Sequence, residues 1–257
     1  YHIEPNPAII KLYRKIKSTP NQTLTYDETL DVNCDIHSIA DPIISIPNIT
    51  TVYFKKFIPY AVCRLTHYFL KYSRSIRTFI FEDYNALWPL QLELESLKHI
   101  KTPVSFVFNN LSISDNELHF LFEEIFKYPG EYQRISFNKI TISANMFQEF
   151  FEKISQSRSL RTLEFFEMNN IDIKSSSVQI NDKIINGINS LLNHCRFLDY
   201  ASFSNWPQQF PVSLDLFLNH NVLSYISLCR QNLTQSFPEN LVIPAHVNYL
   251  EFSKSSF

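Results

Sequence analysis

The stretch Leu160-Arg-Thr-Leu163-Glu-Phe165-Phe-Glu-Met168-Asn-Asn-Ile171-Asp-Ile173 places apolar side chains at positions 1, 4 and 6, counted from Leu160, and follows them with two asparagines. Alternation of this kind is what a half-buried strand requires, because successive side chains point to opposite faces. One such stretch says no more than that.

Working outward, the same frame returns as Tyr132-Gln-Arg-Ile135-Ser-Phe137, Pro103-Val-Ser-Phe106-Val-Phe108, Ile76-Arg-Thr-Phe79-Ile-Phe81 and Ile49-Thr-Thr-Val52-Tyr-Phe54. First positions at 49, 76, 103, 132 and 160 are separated by 27, 27, 29 and 28 residues. A unit of roughly 20–29 residues opening on this strand pattern is the mark of a leucine-rich repeat. Units at the upper end of that range have room for a strand, a turn and a helix. The sequence therefore predicts an α/β leucine-rich-repeat solenoid, a horseshoe with a parallel concave sheet and convex helices. On this frame Val52, Phe79, Phe106, Ile135 and Leu163 share one buried row.

Residues 1–48 are assigned to an N-terminal capping helix and a degenerate first repeat, and residues 49–257 to the repeat array. Asn6-Pro7 suits a helix start, and Ile9, Ile10, Tyr13 and Ile16 fall on one face of a helix reaching Lys17. Leu30-Asp-Val32 is the candidate first strand, and Pro42 and Pro47 are expected to break any helix before the strand at Val52. Helices are predicted over Tyr60–Tyr72, after Asp115 as cap, after Ser143, and over Asn181–His194, where the stripe is Ile184, Ile185, Ile188, Leu191 and Leu192. An insertion at Lys174-Ser-Ser-Ser177 lengthens the unit that ends at Phe197. Strands starting at Phe197, Leu223 and Val247 are 26 and 24 residues apart, too short for full helices between them. The array is expected to continue past Phe257, and homodimerisation through an open C-terminal end is a further expectation.

Composition narrows the function. With 23 Lys and Arg against 25 Asp and Glu, the chain has no basic footprint for a phosphate backbone, which argues against nucleic acid. Four scattered cysteines, Cys34, Cys63, Cys195 and Cys229, form neither a CxxC pair nor a capping framework, and point to a cytoplasmic protein. The sequons at Asn21, Asn48, Asn110 and Asn232 pull the other way, but chance sequons are expected in a chain rich in Asn, Ser and Thr. No apolar run reaches the roughly 18 residues of a bilayer span, so no direct membrane insertion is expected.

The chain holds only two glycines, Gly130 and Gly187, so the backbone cradles of a P-loop or dinucleotide fold are absent. No histidine pair has HExxH or HxxxH spacing, and no GxSxG elbow occurs. His119 with Glu123 or Glu124 reads as a surface pair, and Cys195 beside His194 as core. The expectation is a non-enzymatic chain with no cofactor and no metal.

What such a solenoid offers is its concave face. Position 5 runs Tyr53, Ile80, Val107, Ser136, Glu164, Ala201, Ser227 and Glu251. Position 3 runs Thr51, Thr78, Ser105, Arg134, Thr162, Asp199, Tyr225 and Tyr249. Lys55, Glu82, Asn109, Asn138 and Phe166 flank them. Tyr53, Lys55, Glu82, Arg134, Glu164, Phe166, Tyr225 and Tyr249 are the candidate partner-binding residues, since aromatics and Arg dominate protein interfaces. Position 9, usually Asn or Cys in this class, holds Phe57, Tyr84, Leu111, Ile140 and Met168, so the turns must satisfy their amides otherwise, with Asn109-Asn110 and Asn169-Asn170 expected to help.

Residues 49–150 resemble the N-terminal repeats of the CARMIL family, which link actin capping protein and myosin I. The likeness lies in the order and spacing of a lead-in with Leu30-Asp-Val32, then Thr50-Thr-Val52-Tyr-Phe54-Lys-Lys, a helix, Ser75-Ile-Arg-Thr-Phe79-Ile-Phe81-Glu-Asp, and a helix entering Asn109-Asn-Leu111. Tropomodulin is similar in architecture. The resemblance implies a protein-protein interaction scaffold with actin-regulatory partners. The family's capping-protein and membrane-binding segments have no counterpart in these residues. Two alternatives share the solenoid: a small-GTPase regulator of the Ran-activating type, whose acidic tail is missing here, and a substrate-recognition subunit of a ubiquitin ligase.

Overall fold

A computed structural model describes residue 14 and residues 22–27, 36–87, 90, 92–128, 131–157, 159–174, 182–206, 213–230, 233, 240–253 and 255. Apart from Arg14, the predicted N-terminal helix lies outside the described residues, as does Leu30-Asp-Val32. Among the described residues nine strands form one sheet in strict chain order, and every neighbouring pair is parallel. They are β1 (Thr23–Asp27), β2 (Thr51–Lys55), β3 (Thr78–Glu82), β4 (Val104–Leu111), β5 (Tyr132–Ile142), β6 (Phe165–Ile173), β7 (Tyr200–Ser202), β8 (Tyr225–Ser227) and β9 (Tyr249–Glu251). The helices between them are α1 (Ile36–Ile44), α2 (Pro59–Tyr72), α3 (Asp115–Lys127), α4 (Ala144–Gln156), α5 (Asp182–His194) and the short α6 (Leu214–Leu218).

The period-2 pattern of the strands decides what each face does. Leu24, Val52, Phe79, Phe106, Ile135, Phe166, Ala201 and Ile226 are all buried and occupy one register row, which Leu250 continues in β9. Two residues on, Tyr26, Phe54, Phe81, Phe108 and Phe137 stack ring on ring through the core. Successive centroids are 5.5, 5.6, 5.2 and 4.8 Å apart. Phenylalanine thus dominates this row, and each stacked pair contributes about 0.5–1.5 kcal/mol beyond its buried area. Against these rows pack Leu65 and Phe69 of α2, Leu121 and Phe122 of α3, Phe150 of α4 and Ile188 of α5, so among the described residues the opposite face of the sheet is left open.

The register corrects the sequence frame in two units. In β6 it is Phe166, not Leu163, that pairs with Ile135. Leu160 and Leu163 are buried, but they belong to the 3-10 turn Ser159–Thr162 and the residues just after it. The true frame is Leu163-x-x-Phe166-x-Met168-x-x-Ile171, three residues later, which makes Ile171 the position-9 residue. Likewise Ala201, not Tyr200, occupies position 4 of β7, so Leu198 is buried while Phe197 is 62% exposed.

Three local expectations also change. The first strand is Thr23–Asp27, ahead of Leu30. Pro42 does not end α1, which passes through it with Ile36, Ile39, Ala40 and Ile43 buried. A lost intrahelical bond and ring clash cost about 3 kcal/mol, whereas each buried isoleucine contributes about 1.5–3 kcal/mol, so the stripe wins. Between β3 and β4 the helix implied by the resemblance is replaced by Leu90, Leu92 and Leu94, all buried, and a 3-10 helix at Glu95–His99. Glu124, itself buried, accepts the Leu94 N–H at 2.9 Å and closes that segment onto α3.

Helix starts follow capping chemistry. Ser114, one residue before the predicted Asp115, caps α3 in a reciprocal box with Glu117, and Ser143 caps α4. The turns after the strands share one device. Lys56, Asp83, Asn110, Lys139, Asn170, Asn205 and Arg230 all have φ between 47° and 65°. In that conformation their N–H groups reach the next unit, as Lys56 does to Glu82 O at 2.9 Å and Asn170 to Ser204 O at 2.8 Å. Position 9 is therefore free to be apolar, and Phe57, Tyr84, Leu111, Ile140, Ile171 and Trp206 form a third buried row.

Candidate functional site

The open sheet face divides into two chemically different halves. Across β2 and β3, Tyr53 donates its hydroxyl to Glu82, and the Lys55 ammonium lies 3.1 Å from Glu82 and 3.9 Å from Asp83. Burial and the Glu82 carboxylate push the Tyr53 phenol well above its ordinary range, so it stays a donor. Lys55, Tyr53 and Glu82, expected as separate contacts, thus form one closed network. Ile80 and Val107 follow, the latter buried.

From β5 onward the face changes. Arg134 Nη2 meets Glu167 Oε2 at 2.6 Å, and Ser136 Oγ donates to the same oxygen. Glu167 is buried, so loss of Arg134 would strand a carboxylate in a poorly solvated place. The next row is aromatic. Phe165, Tyr200, Tyr225 and Tyr249 are register neighbours. Their successive ring centroids are 5.9, 4.2 and 4.4 Å apart, the last two pairs nearly parallel at 12° and 6°. Tyr200 and Tyr225 are partly buried, and Tyr249 is 45% exposed. Burial, with Glu167 and Tyr225 nearby, raises the Tyr200 phenol above its usual range, and burial does the same for Tyr225.

Of the residues expected on this face, Tyr53, Lys55, Glu82, Arg134, Tyr225 and Tyr249 lie on it. Phe166 does not: it is buried, because the three-residue frame shift turns its side chain to the helices. Glu164 moves from the middle of the face to the rim where the strands begin, accepting from Gln133 Nε2 at 3.0 Å. Phe165, Glu167 and Tyr200 take the places that the earlier frame had given to Thr162, Glu164 and Asp199. Aligning Asn169-Asn170 with Asn109-Asn110 would have found Phe165 and Glu167, since both pairs occupy positions 7 and 8 of the true register.

On the helical side, His119 Nδ1 meets Glu149 Oε1 of α4 at 2.5 Å rather than a residue of its own helix. His119, Glu123 and Glu149 each present one ligand atom within 4.8 Å of the others. The Lys153 ammonium already bridges them, bonded to Glu123 and 3.4 Å from Glu149, so a cation there would have to displace it. Cys195 is core, as its position beside a helix end suggested, and burial pushes its thiol up to about 12. A thiol so placed is a poor nucleophile. Among the described residues no helix is long and apolar enough to cross a membrane. Comparison with known families finds no matching family model, and comparison with curated proteins finds no match.

Proposed function

We propose that the chain is a leucine-rich-repeat solenoid acting as a non-enzymatic scaffold that holds a protein partner against its open sheet face. The observation that carries this reading is the ladder Phe165, Tyr200, Tyr225 and Tyr249, an ordered aromatic row left at the surface of a sheet nine strands wide. Eight inter-strand steps give that face a span of roughly 38 Å, enough for an extended segment or a domain edge. Rigid aromatics bring contact area at little cost in conformational entropy. A cytoplasmic setting fits the free Cys63, Cys195 and Cys229. An actin-regulatory partner is the specific form suggested by the resemblance to CARMIL repeats.

The test is site-specific photo-crosslinking in lysate, with a photoreactive phenylalanine analogue placed at Tyr225 on the open face or at Asn186 on the outer surface of α5. Partner peptides joined through position 225 and not through 186 support the reading. Equal labelling at both positions, or labelling at 186 alone, overturns it, and actin-machinery sequences among the peptides support the specific form.

A further inference from the structure

We propose that the aromatic half of the open face recognises an arginine-bearing extended segment of a partner protein. This rests on the scaffold reading above and names the chemistry of its partner.

Four carboxylates border the aromatic ladder. Glu167 and Glu251 lie in the adjoining row of the same face, and Glu164 and Asp199 at the rim where the strands begin. Among the described residues only one cation lies within ion-pair distance of any of them, Arg134 on Glu167. Among the described residues, three of these four carboxylates therefore have no cation at ion-pair distance. The patch is a local concentration of negative charge.

The other three are held by neutral donors. Gln133 donates to Glu164 at 3.0 Å, Ser224 to Asp199 at 2.5 Å and Ser227 to Glu251 at 3.2 Å. These bonds fix the orientation of each carboxylate without cancelling its charge, which lowers the ordering cost when a cation arrives. The three tyrosine rings are stacked face to face, with Phe165 tilted beside them, so along the row they present a band of edges and hydroxyl tips. An aliphatic stem lies well over such a band while its charged head reaches past it. The head that best suits flanking carboxylates is a guanidinium, planar and able to bind two oxygens at once, whereas an ammonium acts as a point charge.

The probe is a fluorescent oligo-arginine peptide titrated into the full chain by anisotropy, alongside oligo-lysine and oligo-glutamate peptides of equal length. The expected order is arginine, then lysine, with no binding of glutamate, and affinity falls as salt is raised. Asp199→Asn combined with Glu251→Gln preserves shape and weakens oligo-arginine binding roughly tenfold, whereas Glu152→Gln on α4 leaves it unchanged. Circular dichroism confirms that each variant is folded. Equal affinity for the glutamate peptide, or no response to the double substitution, overturns the proposal. The two levels separate in the crosslinking experiment: peptides captured at position 225 that lack basic residues overturn the arginine inference and leave the scaffold standing, while absence of capture there overturns both.

Discussion

Gly187 offers a test in which two opposing effects can be weighed against each other. It lies in the interior of α5, where glycine is the worse helix former, so Gly187→Ala on an open surface would stabilise by about 0.8–1 kcal/mol. Here α5 packs so closely on α4 that an added Cβ would sit 2.5 Å from Phe151 O, 2.6 Å from its Cβ and 2.8 Å from its Cα. Two of those atoms are backbone, and carbon contacts settle at about 3.5–4.0 Å. The helices must therefore separate by about 1 Å. A gap of 0.5–1 Å forfeits a quarter to a half of the dispersion energy of the atoms facing it, and Ile184, Ile188, Leu191 and Leu192 all lie buried on α5. Overpacking of this kind costs about 1–3 kcal/mol. Set against the propensity gain, the net expectation is a loss of up to about 2 kcal/mol, a fall in Tm of up to about 8 °C for a chain of this size. Asn186→Ala, on the exposed side of the same helix, meets nothing and is expected to change stability by less than about 0.7 kcal/mol, in the stabilising direction. Urea unfolding of both variants reads the difference. A Gly187→Ala protein more stable than the parent by the full propensity gain of about 0.8–1 kcal/mol would refute the close approach of α4 and α5.

Asn110 holds φ at 54°, so Asn110→Ala is expected to lose about 1–2 kcal/mol in thermal unfolding, while Asn110→Gly recovers most of it. Trp206 donates its indole N–H to Met168 O at 2.8 Å inside the core, and Trp206→Phe removes that bond, an expected loss of about 0.5–1.5 kcal/mol by urea titration. Cys195 is raised from 9.0 to about 12 in the folded chain. Above pH 9 the unfolded state has lost a proton that the folded state keeps, so this group's contribution to stability is complete below 9 and declines up to about 12, at no more than about 1.4 kcal/mol per pH unit. Cys195→Ala should make the alkaline loss of stability shallower, and an unchanged slope would count against burial of the thiol.

Much of the sheet could be read in the sequence, and the reason is physical. Val52, Phe79, Phe106 and Ile135 each stand at position 4 with an apolar residue two places on, so only one strand phase buries both. At β6 that constraint failed. Leu160-x-x-Leu163-x-Phe165 and Leu163-x-x-Phe166-x-Met168 both satisfy the pattern, and only the turn chemistry at Asn169-Asn170 separates them. At β7 the true position-4 residue is Ala201, whose small side chain carries little pattern signal beside Phe197 and Tyr200. The candidate site inherited both errors. Tyr225 and Tyr249 lay in correctly phased strands and were found, while Phe165 and Tyr200, the other half of the ladder, were hidden by the shifted frames. Left-handed turns at Lys56, Asp83, Lys139 and Arg230 carry no glycine, so their shared conformation could not be read from residue type.

Oxidative crosslinking of paired cysteines tests the stacked register most directly, because parallel partners lie close enough for a disulfide to form. Thr51→Cys with Thr78→Cys, and Arg134→Cys with Phe165→Cys, are expected to crosslink within one chain, as their register demands. Arg134→Cys with Thr162→Cys is expected to remain reduced. Mass spectrometry showing the Arg134–Thr162 link in place of the Arg134–Phe165 link, or neither Thr51–Thr78 nor Arg134–Phe165, would contradict the order in which these strands are stacked.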